Sequence, residues 1–195
     1  MTTKIILRNV LIFGSLMGIL CSFLITIEKI NLIANPSYIP SCNINPFISC
    51  GSVMKTPQAS LFGFPNSLLG ILGFSIMLTA GMAELAGAKF KKWFWVTAEI
   101  GITLAVIFVY WLFYQSVYRI GALCPYCMVV WVVTIPMFWY LTLYNLEEKN
   151  IVVCKNQEKF VFKLKKNNLL ILSIFYLVIF LSILIHFWSY WKMMF

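Results

Sequence analysis

The segment Cys124-Pro125-Tyr126-Cys127 opens an apolar run that continues from Met128 to Tyr144. Two cysteines separated by two residues can close a disulfide across the first turn of a helix. If Pro125 takes the first helical position, Cys124 lies at the cap, where free backbone N–H groups and the helix dipole favour a thiolate. The spacing alone leaves three interpretations open: a redox pair, half of a zinc site and a structural bridge.

The composition of the chain restricts the class of protein. The chain has 195 residues, of which 62% are hydrophobic and 11% charged, with a mean hydropathy of +0.90. This is more apolar surface than one soluble core can hide, so we expect an integral membrane protein. The net charge of +9 comes mostly from short basic segments beside apolar runs. Lipid headgroups and membrane topology explain that pattern better than nucleic-acid binding does.

Five apolar runs are each long enough to cross a bilayer. They cover residues 10–27, 66–86, 93–114, 124–144 and 169–188. The pattern predicts an all-α integral membrane protein with one domain over residues 1–195, a retained first helix and an outer loop at 31–65. Pro136 lies inside the fourth run and predicts a kink, which membrane helices tolerate when a neighbour satisfies the freed carbonyl.

The distribution of basic residues predicts the orientation. With a cytoplasmic N-terminus, eleven Lys and Arg residues lie inside and four lie outside. Cys42, Cys50, Cys124 and Cys127 then all lie on the outer, oxidising face, and Cys154 faces the cytoplasm. The seven-residue gap between Cys42 and Cys50 is wide for a zinc knuckle and suits a flexible disulfide. Four cysteines on this face favour thiol–disulfide exchange over a metal site.

A membrane redox protein needs an electron acceptor. The sequence contains one histidine, His186, and has neither a histidine pair for haem nor a cysteine array for an iron–sulfur cluster. A lipid-soluble quinone is therefore the natural acceptor. Tryptophans in the third and fourth runs are candidates for an aromatic slot, although an interfacial belt or ordinary packing explains them equally well.

Three motifs stand out within about residues 10–144. They are the cysteine pair Cys42 and Cys50 with Ser49-Cys50-Gly51-Ser52-Val53-Met54, the segment Phe62-Gly63-Phe64-Pro65-Asn66-Ser67-Leu68-Leu69-Gly70, and Cys124-Pro125-Tyr126-Cys127-Met128-Val129-Val130-Trp131. Together they resemble the vitamin K epoxide reductase (VKOR) family in its bacterial branch. The resemblance implies a four-helix bundle around a quinone site, with a fifth transmembrane helix.

The resemblance also implies roles for the four cysteines. Cys124 and Cys127 match the pair beside the quinone, with Cys127 nearer the ring. Cys42 and Cys50 match the pair in the outer loop that relays electrons, and Cys50 would attack Cys124.

Three further residues match positions near the quinone in the family. Asn66 matches an asparagine that hydrogen-bonds a quinone oxygen, and Thr56 matches a serine or threonine near the active site. Trp131 stands where the animal enzymes have a tyrosine, and its indole N–H can donate a hydrogen bond but not accept one.

By resemblance, the protein is a bacterial plasma-membrane oxidase that makes disulfides on the outer face. Many bacterial members carry a thioredoxin-like domain after the fifth helix, and no such sequence follows here. We therefore expect a separate, secreted thioredoxin-fold (DsbA-like) partner as electron donor, and ubiquinone or menaquinone as acceptor. The alternatives are reduction of quinone epoxides, as in the animal members, and a membrane scaffold whose disulfides only hold the outer loop.

Overall fold

The computed structural model describes residues 3–151 and 157–188, which fold almost entirely into helices. The helices in chain order are α1 (Thr3–Ala34), α2 (Cys50–Met54), a 3-10 turn (Pro57–Ser60), α3 (Ser67–Leu85), α4 (Lys92–Tyr114) with a π-helical extension (Gln115–Ile120), α5 (Pro125–Glu147), α6 (Gln157–Lys166) and α7 (Asn168–His186). Within the described residues, five of these helical segments are long and apolar enough to cross a membrane: α1, α3, α4 with its extension, α5 and α7. The predicted all-α membrane architecture is confirmed.

The first and longest helix extends beyond the predicted span at both ends. The apolar run covers 10–27, whereas α1 covers Thr3–Ala34. Two polar residues after the run, Glu28 and Lys29, contact the following loop. The helix ends two residues before Pro36, which disfavours helix at its neighbour. The loop predicted at 31–65 therefore starts near residue 35 and contains α2 and the 3-10 turn. The polar link after α5 also contains a helix, α6.

Small residues allow α1 and α3 to pack closely in antiparallel orientation. A Cβ atom added at Gly18 would lie 2.6 Å from the Phe74 ring, and one added at Gly70 would lie 2.5 Å from Ser22 Oγ. Small residues permit this approach of helix backbones within a membrane, where the hydrophobic effect cannot drive association. α5 packs against the other side of α1, and α4 packs against α5. These four helices form the bundle.

The proline in α5 is accommodated by the fifth spanning helix. Pro136 has no backbone N–H, so the carbonyl of Val132 has no partner four residues later. The hydroxyl of Tyr176 in α7 donates to this Val132 oxygen at 2.8 Å. A neighbour thus satisfies the freed carbonyl as the sequence predicted.

The antiparallel helices bring polar groups together at two ends of the bundle. We call the end formed by the start of α5 and the close of α1 the cysteine end, and the other the opposite end. At the opposite end, Lys4 Nζ of α1 lies 3.5 Å from Glu84 Oε1 of α3. Glu99 of α4 accepts hydrogen bonds from Thr142 and Asn145 of α5. Cys154, predicted to face the cytoplasm, lies outside the described residues.

Candidate functional site

The four cysteines singled out in the sequence meet at the cysteine end. Cys42 and Cys50, the loop pair, form a disulfide with 5.7 Å between their Cα atoms. Cys124 and Cys127, the helix pair, are free thiols. The Sγ atoms of Cys50 and Cys124 are 3.2 Å apart, although 74 residues separate them in the chain. The two pairs are therefore in direct sulfur–sulfur contact.

A short backbone pairing holds the two pairs together. Ile48, two residues before Cys50, forms a parallel β-bridge with Leu123, the residue before Cys124. Ser49 N–H donates to the Leu123 carbonyl at 2.9 Å, and Leu123 N–H donates to the Phe47 carbonyl at 2.7 Å. Two backbone hydrogen bonds thus fix the spacing between the segments from which Cys50 and Cys124 project.

Side chains of the loop fix the start of α2, where Cys50 is the first helical residue. Ser49 is the N-cap, and its Oγ accepts from Ser52 N–H at 3.2 Å. Asn43 Oδ1 accepts from Gly51 N–H at 2.9 Å and from Ser49 Oγ at 3.2 Å. These bonds satisfy backbone donors that a helix start leaves open, and they set the direction of the Cys50 side chain.

Cys124 takes the predicted position at the N-cap of α5, with Pro125 as the first helical residue. The pKa of Cys124 is lowered from the ordinary thiol value, mainly because the thiol of Cys127 donates a hydrogen bond to its sulfur. The backbone N–H groups of Cys127 and Tyr126 add to this effect. Cys124 is also fully buried, so these donors outweigh the burial that opposes a charge. The arrangement favours a thiolate at Cys124.

Cys127 connects the cysteines to an aromatic cluster deeper in the bundle. It is partly buried and packs both against the cluster that contains Cys50 and Cys124 and against the cluster that contains Trp131, one helical turn further along α5. The Trp131 ring meets Phe113 edge to face, with 5.1 Å between centroids. Of the four cysteines, Cys127 is thus the one that contacts the predicted aromatic slot.

A small apolar cavity lies beside Trp131. Residues of α4, α5 and α7 line it: Val109, Tyr110, Phe113, Trp131, Ile135 and Ile179. The volume of the cavity is about 10 Å³, far less than the few hundred Å³ of a typical ligand pocket. The chemistry of this lining suits a quinone ring, but a ring fits only if the side chains or α7 shift outward.

Thr56 and Asn66 lie on the segment that follows α2. Thr56 Oγ1 donates to the Val53 carbonyl at 2.7 Å, which places it just past the helix that begins at Cys50. Asn66 closes the next turn, donating to the Gln58 carbonyl at 2.6 Å and accepting from Leu61 N–H at 3.1 Å. Both side chains thus have local structural partners, and their roles toward quinone stay predictions.

Two charged residues that directly follow the first apolar run, Glu28 and Lys29, contact the redox loop. Glu28 Oε1 accepts from the backbone N–H of Ser41 at 3.3 Å and from its hydroxyl. Lys29 Nζ donates to the Met54 carbonyl. The sequence feature that could have indicated these contacts is a pair of charged residues at the end of an apolar helix, directly before a loop that contains cysteines.

Comparison with known protein families identifies the family of the chain. The model of the vitamin K epoxide reductase family matches residues 9–142, which include all four cysteines and the aromatic cluster around Trp131. The chain belongs to the vitamin K epoxide reductase family. Members are membrane oxidoreductases associated with quinones and disulfide chemistry, and the Cys42–Cys50 disulfide fits that chemistry. No curated protein sequence matches the chain significantly.

Proposed function

We propose that this VKOR-family protein oxidises a separate thioredoxin-fold thiol protein and passes two electrons to a quinone, so that it supports disulfide formation outside the cytoplasm. The observation that carries the proposal is the 3.2 Å contact between Cys50 and Cys124 Sγ. A scaffold disulfide has no need of a free thiolate-forming cysteine against one of its sulfurs. A relay by thiol–disulfide exchange requires that contact.

The proposed reaction begins at the loop pair. A thiolate of the reduced donor attacks Cys42, which breaks the Cys42–Cys50 bond and leaves Cys50 as a thiolate. The second donor thiol then attacks the mixed disulfide, and the donor leaves oxidised. The loop pair now holds two electrons and two thiols.

The second exchange transfers these electrons to the helix pair. The Cys50 thiolate attacks Cys124 in a Cys124–Cys127 disulfide, and Cys127 leaves as a thiolate. Cys42 then attacks Cys50, which restores the loop disulfide and expels Cys124. The lowered pKa of Cys124 makes it a good leaving group in that step, because low-pKa thiols leave faster. The products, an oxidised loop pair and a reduced helix pair, match the redox arrangement of the structure.

The final step takes place at the aromatic cluster. A quinone accepts two electrons and two protons, and the helix pair returns to its disulfide. Cys127 contacts the cluster around Trp131, so its sulfur is the proposed electron exit. Tyr110, Phe113 and Trp131 would bind the ring through their aromatic faces, and the Trp131 N–H would donate to a ring oxygen.

The proposal is tested by following both substrates in sequence. The purified protein is incubated without oxygen with reduced DsbA, and a soluble ubiquinone is then added. Oxidation of DsbA together with an equal amount of quinol, measured by absorbance, is the expected result. A helix pair that stays oxidised through both additions would leave only the scaffold interpretation.

The identity of the attacked loop cysteine is tested by trapping. In Cys50→Ser, Cys42 is a free thiol. It can attack the disulfide of oxidised DsbA and expel one DsbA cysteine as a thiolate, and without Cys50 no loop cysteine can resolve the resulting Cys42–DsbA mixed disulfide. We expect a reductant-sensitive adduct of this variant on non-reducing gels. Cys42→Ser serves as the matched control and should give none.

The proposed orientation places the cysteine end outside and the N-terminus in the cytoplasm. Buried native cysteines label poorly, so exposed positions are better reporters. Ile39, in the loop, is 75% exposed, and Lys89, between α3 and α4, is also exposed. In intact cells, Ile39→Cys should react with a membrane-impermeant maleimide and Lys89→Cys should not. The reverse pattern would put the redox centre in the cytoplasm.

A further inference from the structure

Two adjacent residues near the end of α1 contact the two sides of the segment that carries the loop pair. Glu28 accepts both hydrogen bonds from Ser41, the residue before Cys42. Lys29 donates to the carbonyl of Met54, the last residue of the short helix that Cys50 begins. One turn of α1 therefore contacts both sides of the loop disulfide.

The two charges act on the loop and not on each other. Glu28 and Lys29 form no ion pair with any partner in the described parts of the chain, and adjacent positions on a helix point in different directions. Glu28 is only 8% exposed, and burial of a carboxylate is costly without compensating contacts. Its charge also raises the pKa of Tyr38, a loop residue, because the carboxylate stabilises the protonated hydroxyl. The contacts of this carboxylate are thus directed at the loop.

The two sides of the loop have different requirements during the reaction. Cys50 is fully buried and must remain against Cys124 for the internal exchange. Cys42 is 5% exposed, so the thiol of a folded donor cannot reach its sulfur unless this side of the loop moves. The Cys50 side is held by Lys29 and by the backbone bridge at Leu123, whereas the Cys42 side is held at Ser41, an exposed residue.

We propose that Glu28 and Lys29 are positioning residues with separate tasks. Lys29 keeps Cys50 against Cys124 for the internal exchange. Glu28 holds the loop closed through its hydrogen bonds to Ser41, and the loop opens to admit the donor to Cys42 when these bonds break. This inference rests on the proposed function. Both residues act through the loop and touch no reacting atom. The two contacts should therefore affect different steps: loss of the Lys29 contact should slow the internal exchange, and loss of the Glu28 contact should speed the donor step.

The Lys29 task is tested by comparing a protein donor with a small one. With reduced DsbA, Lys29→Met should slow ubiquinone reduction about tenfold, the effect expected for loss of one charge-assisted hydrogen bond. With dithiothreitol, which can reduce the helix pair directly, the rate should fall less than about twofold. Lys29→Arg keeps a donor and should restore most of the DsbA-dependent rate. Lys55→Met, an exposed lysine on the same segment, is the matched control and should change neither rate.

The Glu28 task is tested at the donor step alone. In a Cys50→Ser background, the free Cys42 thiol attacks the disulfide of oxidised DsbA and expels one DsbA thiolate, and Cys50 is absent to resolve the adduct. Glu28→Ala should speed formation of this adduct about threefold to tenfold, because the closed loop loses its hold on Ser41. Glu28→Gln keeps an acceptor oxygen and should change the rate less. Lys29→Met in the same background should leave adduct formation unchanged.

The outcomes separate this inference from the proposed function. If the wild-type protein fails to couple DsbA oxidation to ubiquinone, the proposed function fails. If the wild-type protein couples them and Lys29→Met slows both donors equally, or Glu28→Ala slows adduct formation, the two residues only stabilise the fold and the inference is wrong. Melting temperatures of each variant in detergent identify any loss of folded protein.

Discussion

The two ends of the helix bundle both bury polar groups, but they satisfy them differently. At the opposite end, the Glu99 carboxylate accepts from Thr142 at 2.6 Å and from Asn145 at 2.9 Å. At the cysteine end, the buried Glu28 and Ser49 also form hydrogen bonds, but the Sγ atoms of Cys50 and Cys124 touch without sharing a covalent bond. The Glu99 carboxylate thus has fixed hydrogen-bond partners, whereas the two sulfur atoms lie close enough for the proposed exchange.

The chemistry of the buried groups explains this difference. A buried carboxylate or amide is costly unless every polar atom has a partner, so a network built from them holds one arrangement. A thiol is a weak donor and behaves as a small hydrophobic group, so it can be buried without a fixed partner. We therefore expect substitutions at the cysteine end to change reaction rates, and those at the opposite end to change stability.

The largest effect should come from the electron exit. Cys127→Ser removes the thiol through which both donors would reach quinone, so ubiquinone reduction should fall by at least about 10³-fold with reduced DsbA and with dithiothreitol. The unfolding midpoint should change little. Cys21→Ala, at a buried thiol in α1, is the control and should retain activity. Appreciable turnover by Cys127→Ser with either donor would remove the helix pair from the mechanism.

The next effect should separate the two cysteine pairs. Cys42→Ser blocks entry from a protein donor but leaves the helix pair intact. We expect a loss of about 100-fold with reduced DsbA and of only a few-fold with dithiothreitol, since a small dithiol can reach Cys124–Cys127 directly. Initial rates of quinol formation measure both. Equal losses with the two donors would contradict the relay.

A third effect concerns pH and the Cys124 thiolate. The pKa of Cys124 is lowered in the folded protein, so its thiolate stabilises the reduced protein at pH values above the ordinary thiol pKa. This contribution is lost as the pH falls through the lowered value. Ultraviolet thiolate absorbance of the reduced protein should show one group that ionises below the ordinary range. The reduced Cys124→Ser protein should lack that group, and an unchanged titration would refute the assignment.

At the opposite end, stability should change and chemistry should not. Glu99→Ala leaves one N–H of Asn145 without its acceptor, whereas the Thr142 hydroxyl can still donate to the Phe138 carbonyl, and the change should destabilise the protein by about 1–3 kcal/mol. Ubiquinone reduction per folded molecule should stay within about twofold, because the cysteines are undisturbed. Thr97→Ala, at an exposed position on the same helix, is the control. A large loss of turnover in folded Glu99→Ala would show that the two ends are coupled.

The smallest expected effect is a loss of stability on removing the hydrogen bond beside the proline in α5. Tyr176→Phe removes the hydroxyl that satisfies the Val132 carbonyl and should cost about 1 kcal/mol of stability. Turnover should remain unchanged. Ser182→Ala on α7, whose hydroxyl bonds only within its own helix, should cost less. If the two variants are equally stable, the Tyr176 hydrogen bond contributes nothing to the docking of α7.

Much of this protein follows from local sequence. Long apolar runs predicted all five candidate spanning helices, because the cost of exposing backbone groups to lipid leaves helix as the local solution. The order Cys124-Pro125 predicted the cap and the first turn of α5, since proline suits only the first helical position. Pro136 likewise predicted that a neighbour must satisfy a free carbonyl. Each of these conclusions needs only residues close together in the chain.

The tertiary structure alone decided which side chains meet. The contact of Cys50 with Cys124 depends on the bridge between Ile48 and Leu123, which joins segments more than seventy residues apart. The extension of α1 past its apolar run, and the use of Glu28 and Lys29 to hold the loop, depend on where that loop returns. Local propensity does not encode such contacts, because backbone pairing and buried polar bonds form only after the helices have packed. The sequence by itself therefore determined the spans and the position of Cys124 at the cap of α5, and packing decided which sulfur atoms meet.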